Sequence, residues 1–344
     1  MTVPAETRSA GETEPLSPPH RLTILGAPRL ESAPTWLAEH AAEIRRQVAD
    51  HGAVLVRGLD IATAEAAGDA LRVLLGELAE EKEPFASRTL HGDRIYSVSE
   101  WPPDAPLCLH HELSYAPRFP GLIGMVCLTA PAQGGQTQLA PAAAVLRDLP
   151  PDLVARFRTK GWELTRLHND LIGIPWQQAL LTDDKNAADD YFRQHGIDAY
   201  WGADGSLRTR RTMPAIITHP VTGEEVWFNQ IAFLNEWTMD PAVREFLISD
   251  IGPGGLPFNT AYGDGSPIDP SDVETINEVY RAHTVSEPWR AGDVLLFDNI
   301  QMAHGRTEYV GERQVLVAFG ELVEAESGAA TDRAHRAHRA ENAQ

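Results

Sequence analysis

His110 and Glu112 set an imidazole and a carboxylate two positions apart inside the run Leu107-Cys108-Leu109-His110-His111-Glu112-Leu113-Ser114-Tyr115, and the rest of the chain is organised around that stretch. Successive side chains of an extended strand point to opposite faces. His110 and Glu112 are therefore expected on one face, with His111 on the other. That spacing suits two ligands of a metal site. The chain must then supply a third ligand, a place for a co-substrate and a scaffold.

Apolar residues at Leu37, Ala41, Ile44 and Val48 follow helical spacing over 34–50, with Gly52 just past the end. A strand at 53–56 follows, then a second helix over about 62–79 and a short strand over 94–98. Residues 105–140 read as two strands, one carrying His110 and Glu112 and one over 122–128, separated by a turn at Ala116 to Gly121. Gly134-Gly135-Gln136-Thr137 comes next, then a polar, partly helical insertion over about 141–212. Strands return at 215–218, 226–229, 293–297 and 314–320. This order suits a mainly β fold, a sandwich or jelly roll with helical additions, better than a βαβ array. A single domain over 20–324 is expected, between flexible tails at 1–19 and 325–344. His335 and His338 in the second tail are read as solvated.

The net charge of −20 opposes nucleic acid and anionic membrane surfaces, so an anionic ligand must be held by locally placed arginines. Cys108 and Cys127 lie in apolar runs and read as small buried hydrophobes, which points to a reducing, cytoplasmic compartment. No run approaches the roughly 20 apolar residues of a membrane span, and the N-terminus lacks a basic region followed by an apolar one.

Three histidines are followed two residues later by an acid: His91/Asp93, His110/Glu112 and His168/Asp170. A hairpin turn accounts for the first, which holds Gly92 and precedes a strand. The third lies at the start of the helical insertion, with no following strand and Gly-Gly turn. His110/Glu112 has both. Downstream, the apolar strand ending at Phe297 leads into Asp298-Asn299-Ile300-Gln301-Met302-Ala303-His304-Gly305-Arg306, and Arg313 stands near the start of the next strand. With His304 as third ligand, the set fills one face of an octahedral ion and leaves three positions open, as O₂ and a bidentate keto acid require. Arg313 can take the distal carboxylate of that acid, and Thr137 can add a hydroxyl. The plainer alternatives are a surface ion pair of Arg313 with Glu308 or Glu312, and Thr137 as a turn residue.

These residues resemble the taurine dioxygenase-like iron(II)/2-oxoglutarate oxygenases, in the branch with clavaminate synthase and the syringomycin-type aspartyl hydroxylase. The resemblance rests on His110 to Tyr115, on Gly134 to Thr137, on His219-Pro220-Val221-Thr222-Gly223-Glu224 running to Asn229, and on Asp298 to Arg313, in that order. It spans roughly 50–322. It implies a double-stranded β-helix (jelly roll) with His110, Glu112 and His304 on Fe(II), and Thr137 and Arg313 on 2-oxoglutarate. Glu112 argues against halogenation, since related halogenases replace this carboxylate by a small residue. Two departures stand out: His111 where the branch often has Asn, and no proline after Arg306.

The resemblance further implies hydroxylation, usually at the β-carbon, of an amino acid, free or bound to a carrier protein, in antibiotic or other natural-product biosynthesis. Candidate substrate contacts are Ser97, His111, Asn229, Asn299 and Arg306. Desaturation or cyclisation by the same cofactors is the alternative outcome. Of the rival classes, a zinc hydrolase using the same His₂Glu ligands has no need of Arg313 or the Gly-Gly-x-Thr turn. A non-catalytic ligand-binding jelly roll has no need of an iron site.

Overall fold

Side-chain alternation divides the apolar strands between two cores. Val54, Val56, Val294, Leu296, Leu316 and Ala318 pack with residues of helices Ala33–His51 and Ala64–Leu75. Their neighbours Ala53, Leu55, Leu295, Phe297, Val315 and Val317 pack into a second core. Strands buried on both faces read as unbroken apolar runs, so these were the segments most plainly marked in the sequence. Each fully buried Val, Leu or Phe contributes about 1.5–3 kcal/mol to holding the layers together.

The computed structural model describes residues 22–27, 33–169, 173–252 and 255–325. Asp170, the expected tail at 1–19 and all of the expected tail at 325–344 except Ala325 lie outside the described residues. The fold is mainly β, a jelly roll with flanking helices. Its larger sheet runs in the order Thr23–Gly26, Ala53–Arg57, Val294–Asp298, Arg118–Thr129, Gln314–Glu324, Ile95–Ser97, Leu90–Gly92, with Leu78–Ala79 also pairing on Gln314–Glu324. The smaller sheet runs Val285–Ser286, Thr137–Pro141, Met302–Arg306, Leu107–His110. Leu139 and Met302 of the smaller sheet join the second core, so the two sheets close on it from opposite sides.

Several expectations change. The strand with His110 ends there; Glu112 lies in the following turn, where Leu113 has φ +53°. The turn expected at 116–121 is shorter, because Arg118–Thr129 is one strand that includes Pro120 and Gly121. Pro120 has no N–H to lose, and its carbonyl accepts from Asn299 Nδ2 at 2.9 Å. The second helix stops at Leu75, ended by Gly76 at φ +72°. The insertion over 141–212 holds strands Trp162–His168, Asp198–Trp201 and Leu207–Met213 besides its helices, and these form a separate sheet with Phe258–Tyr262. His91 lies on a hairpin, as expected, exposed on Leu90–Gly92 and paired with Ile95–Ser97. Among the described residues, no helix is long and apolar enough to cross a membrane.

Candidate metal centre

Antiparallel pairing of Met302–Arg306 with Leu107–His110 puts His304 directly opposite His110, with ring centroids 4.4 Å apart. Glu112 arrives from the turn rather than by strand alternation, its Oε2 lying 3.6 Å from His304 Nε2. One donor atom from each of these three buried side chains falls within 4.8 Å of the others, a group that can hold a metal ion. His110 Nδ1 lies 2.8 Å from the Cys108 carbonyl. A proton held there leaves Nε2 with its lone pair free for a metal. Burial, and then the adjacent His304, push the His110 pKa down to about 3, so the ring is neutral at ordinary pH. Burial by itself would raise the Glu112 carboxyl. Arg88, with smaller help from His304 and His110, outweighs this and holds it at about 2. A neutral imidazole beside an ionised carboxylate is the donor state a divalent cation needs. Glu112 Oε1 and His304 Nδ1 are buried without a hydrogen-bond partner among the described residues, so the group has unused donor and acceptor capacity.

The residues after Phe297 hold both halves of this centre in place. Asp298 Oδ1 accepts from the Ile300 and Gln301 N–H groups at 2.8 and 2.9 Å, fixing the turn into the His304 strand. Its Oδ2 lies 2.9 Å from His219 Nε2, and His219 Nδ1 accepts from Thr222 N, which pins the His219 to Thr222 turn against it. Asn299 accepts from Glu112 N at 2.8 Å and donates to the Glu112 and Pro120 carbonyls. The side chain of Asn299 is thus spent on the backbone that presents Glu112. Asn229 is likewise occupied, donating to the Ala215 carbonyl and accepting from Ile231 N. His111 is fully buried, 2.6 Å from the Asn299 carbonyl through Nδ1 and against the Phe228 ring. These three candidates therefore face packing, and His111 stands apart from the metal-binding group.

Arg306 and Thr137 lie next to His304 through strand pairing, and Arg313 shares a cavity with Arg306. Arg306 lies two residues past His304 on the same strand, directly opposite Thr137 on Thr137–Pro141, so His304, Arg306 and Thr137 share a face of the smaller sheet. A cavity of about 540 Å³ is lined by both arginines together with Thr89, Ser97, Trp101 and Tyr309. Arg313 forms no ion pair with Glu308 or Glu312; its Nε donates to the Gly135 carbonyl at 3.0 Å. Burial, and then Arg306, lower its pKa to about 10. Arg306 donates through Nη2 to the Pro102 and Ala105 carbonyls, and its buried Nη1 has no partner among the described residues. Among the described residues the Thr137 hydroxyl has only a weak acceptor, Met125 Sδ at 3.8 Å. Among the described residues neither guanidinium forms an ion pair, although Glu100 also lines the cavity, and two such cations in a chain of net charge −20 mark a place for an anion. Ser97 Oγ accepts from Thr89 N on the cavity wall.

The Gly-Gly turn makes this geometry possible. Gly134 and Gly135 have φ +67° and +70°, and a Cβ on Gly135 would lie 2.8 Å from Pro131 Cγ and 3.1 Å from Arg313 Cδ. Glycine is what lets the arginine stem pass.

Residues 80–89 contribute contacts that the sequence did not announce. Arg88 bridges Glu81 and Glu112, and Phe85 sets its ring edge-on to His110 at 5.6 Å. Phe233 stacks on His110 at 4.6 Å and meets Phe85 edge-on at 4.9 Å. An acidic run such as Glu80-Glu81-Lys82-Glu83 carries no periodic signal, and Arg88 stands three residues past Phe85. The decoy His168 is turned away, its Nδ1 2.8 Å from the Ile174 carbonyl.

A jelly roll that carries a His₂Glu group beside an unpaired arginine has the architecture of the non-haem iron(II)/2-oxoglutarate-dependent dioxygenases. The chain belongs to the family described as taurine catabolism dioxygenase TauD, TfdA family, which matches residues 12–319. It is 30% identical over 272 residues to the dapdiamide synthesis protein DdaC of Enterobacter agglomerans, covering 79% of this chain and 83% of that one. A clavaminate synthase-like protein of Arabidopsis thaliana is 28% identical over 284 residues, covering 78% and 82%. Among solved structures, asparagine oxygenase in complex with Fe(II), 2S,3S-3-hydroxyasparagine and succinate aligns over 83% of this chain and 79% of its own, with TM-score 0.51 and 14% identity. PvcB from Pseudomonas aeruginosa aligns over 91% and 94%, with TM-score 0.51 and 15% identity. At these identities the structural likeness speaks for the fold alone. The family's cofactors are Fe(II) and 2-oxoglutarate, with O₂ as co-substrate.

Proposed function

We propose that this enzyme hydroxylates an amino acid, usually at the β-carbon, in natural-product biosynthesis, with His110, Glu112 and His304 on Fe(II) and Thr137 and Arg313 on 2-oxoglutarate. One domain over 20–324 carries the site. The observation that carries the reading is the His110, Glu112 and His304 group, with Arg306 two residues past His304 on the same strand and lining one cavity with Arg313. A keto diacid uses one end on the metal and needs one cation for the other, which Arg313 and the Thr137 hydroxyl provide. Arg306 then remains for a second acid, and a carboxylate of an amino-acid substrate fits it. The name of DdaC, a dapdiamide synthesis protein, supports a place in biosynthesis.

Iron with the keto acid supplies the oxidising chemistry; the chain's residues bind, orient and exclude water. Phe85, Phe233 and Trp101 wall the approach to His110 with apolar surface. Ser97 offers its hydroxyl from the wall of the cavity. A mass-spectrometric screen of free and carrier-loaded amino acids with Fe(II), ascorbate and 2-oxoglutarate tests the reading. One product gaining a single oxygen atom is the expected result. Loss of two hydrogens instead would indicate desaturation, and full activity with zinc and no keto acid would overturn the assignment.

A further inference from the structure

Glu81, Arg88 and Glu112 form a chain of three charged side chains with 4%, 5% and 3% of their surface exposed. Arg88 Nε donates to Glu81 Oε1 at 2.8 Å, and its Nη2 donates to Glu112 Oε2 at 3.0 Å. Burying three charges is costly unless geometry and hydrogen bonds repay it, so such a chain is retained where it fixes something.

The segment that carries Arg88 is itself held at several points. Arg166 donates to the Glu83 and Pro84 carbonyls at 3.0 and 2.5 Å, and the Tyr115 hydroxyl donates to the Glu83 carbonyl at 2.7 Å. The Tyr191 hydroxyl donates to Glu83 Oε1 at 2.6 Å, and Glu83 N donates to the Ala179 carbonyl. Glu83 sits at φ +60°, a strained conformation for a residue with a side chain, kept by these ties. Arg166, Ala179 and Tyr191 belong to the insertion, which thereby braces the arginine against the metal-binding group.

We infer that Arg88 is a positioning residue that makes Glu112 a one-oxygen ligand, with Glu81 as the counter-charge that allows the guanidinium to be buried. The inference rests on the metal reading above. Six coordination positions divide into three for the protein, two for a chelating keto acid and one for O₂. A carboxylate that turned both oxygens onto the ion would take a fourth and block the chelate. Arg88 holds Oε2, the oxygen nearer His304 Nε2 at 3.6 Å, so Glu112 can rotate to bring Oε1 onto the ion as well only by loosening a buried, charge-assisted hydrogen bond. Asn299 fixes the backbone of Glu112 and Arg88 fixes its carboxylate.

The test uses the full chain with Fe(II) under anaerobic conditions and follows the 2-oxoglutarate-dependent charge-transfer absorption. Arg88→Met combined with Glu81→Gln removes the cation without stranding its partner. Expected is retained Fe(II) binding with a weakened or displaced band and a 2-oxoglutarate Kd raised at least about 10-fold, the scale of lost outer-sphere contacts. Arg88→Lys keeps the charge but loses the two-pronged geometry, and is expected to restore the band in part. A band and Kd equal to wild type in either variant overturn the inference, and the lysine variant decides alone if the double variant does not fold. Absence of the band from wild type would instead overturn the metal reading.

Discussion

His304 stands directly across an antiparallel strand pair from His110, and its Nε2 lies 3.6 Å from Glu112 Oε2. The two halves of the centre are thus joined by sheet register, and each histidine sits in the other's field. His304→Ala removes one donor while leaving the pairing of the backbone intact. Fe(II) or Co(II) affinity should fall at least about 100-fold, beyond the 10–100-fold typical of outer-sphere losses. Metal titration followed by absorption checks this, with far-UV circular dichroism unchanged. Affinity within a few-fold of wild type would remove His304 from the ligand set.

Arg313 should set the affinity for the keto acid. Arg313→Gln removes a charge-assisted hydrogen bond worth about 1.5–3 kcal/mol, so the 2-oxoglutarate Kd should rise by roughly 10–100-fold. Thr137→Val removes a neutral bond worth about 1 kcal/mol and should cost roughly 5-fold. Anaerobic calorimetry with 2-oxoglutarate separates the two effects. Equal, small losses would mean that the keto acid lies elsewhere.

The sequence made the metal-binding group legible because the apolar strands on either side of it are strongly patterned. Val294 to Phe297 are buried on both faces, Leu107 to His110 become so at Leu109 and His110, and the His-x-acid spacing stands out against them. The route taken by Glu112 was not legible, since a left-handed Leu113 reflects turn closure and not side-chain pattern. Asn299 was read as a substrate contact because a polar side chain beside a ligand strand has two uses, and only the fold shows its amide tied to Glu112 and Pro120. Arg88 was hidden for a different reason. Its partners Glu81 and Glu112 are brought together by a segment without regular structure, for which periodicity carries no information. In the insertion, Trp162 and Leu164 alternate with Glu163 and Thr165 as a strand should, yet the helices around them dominate the composition.

Gly135→Ala should damage the co-substrate slot from behind. The added Cβ meets Pro131 Cγ at 2.8 Å, Tyr309 Cβ at 3.0 Å and Arg313 Cδ at 3.1 Å, in a backbone conformation that already disfavours it. The strain should cost about 1–3 kcal/mol of stability, and the displaced guanidinium should weaken 2-oxoglutarate binding. Gly223→Ala is the control, since Gly223 has φ +72° with nothing within 4 Å of its Cβ. It should show backbone strain with the wild-type Kd. A Gly135→Ala protein with unchanged Kd would show that Arg313 does not depend on the turn.

Stability should fall in mild acid through His168. Burial, and then Arg166, lower its pKa from 6.5 to about 3, while its Nδ1 stays with the Ile174 carbonyl. The unfolded chain therefore takes up a proton near pH 6.5 that the folded chain refuses until about pH 3. A group of this sign contributes its full stability above pH 6.5 and loses it as the pH falls towards 3. Between pH 8 and pH 5 the loss should be about 2 kcal/mol, from 1.36 kcal/mol for each unit below the unfolded value. Urea unfolding of the metal-free protein at the two pH values measures it. In His168→Gln the contribution is absent, so its two curves should lie closer together by that amount. Equal separation in variant and wild type would mean that His168 is protonated at no cost inside the fold.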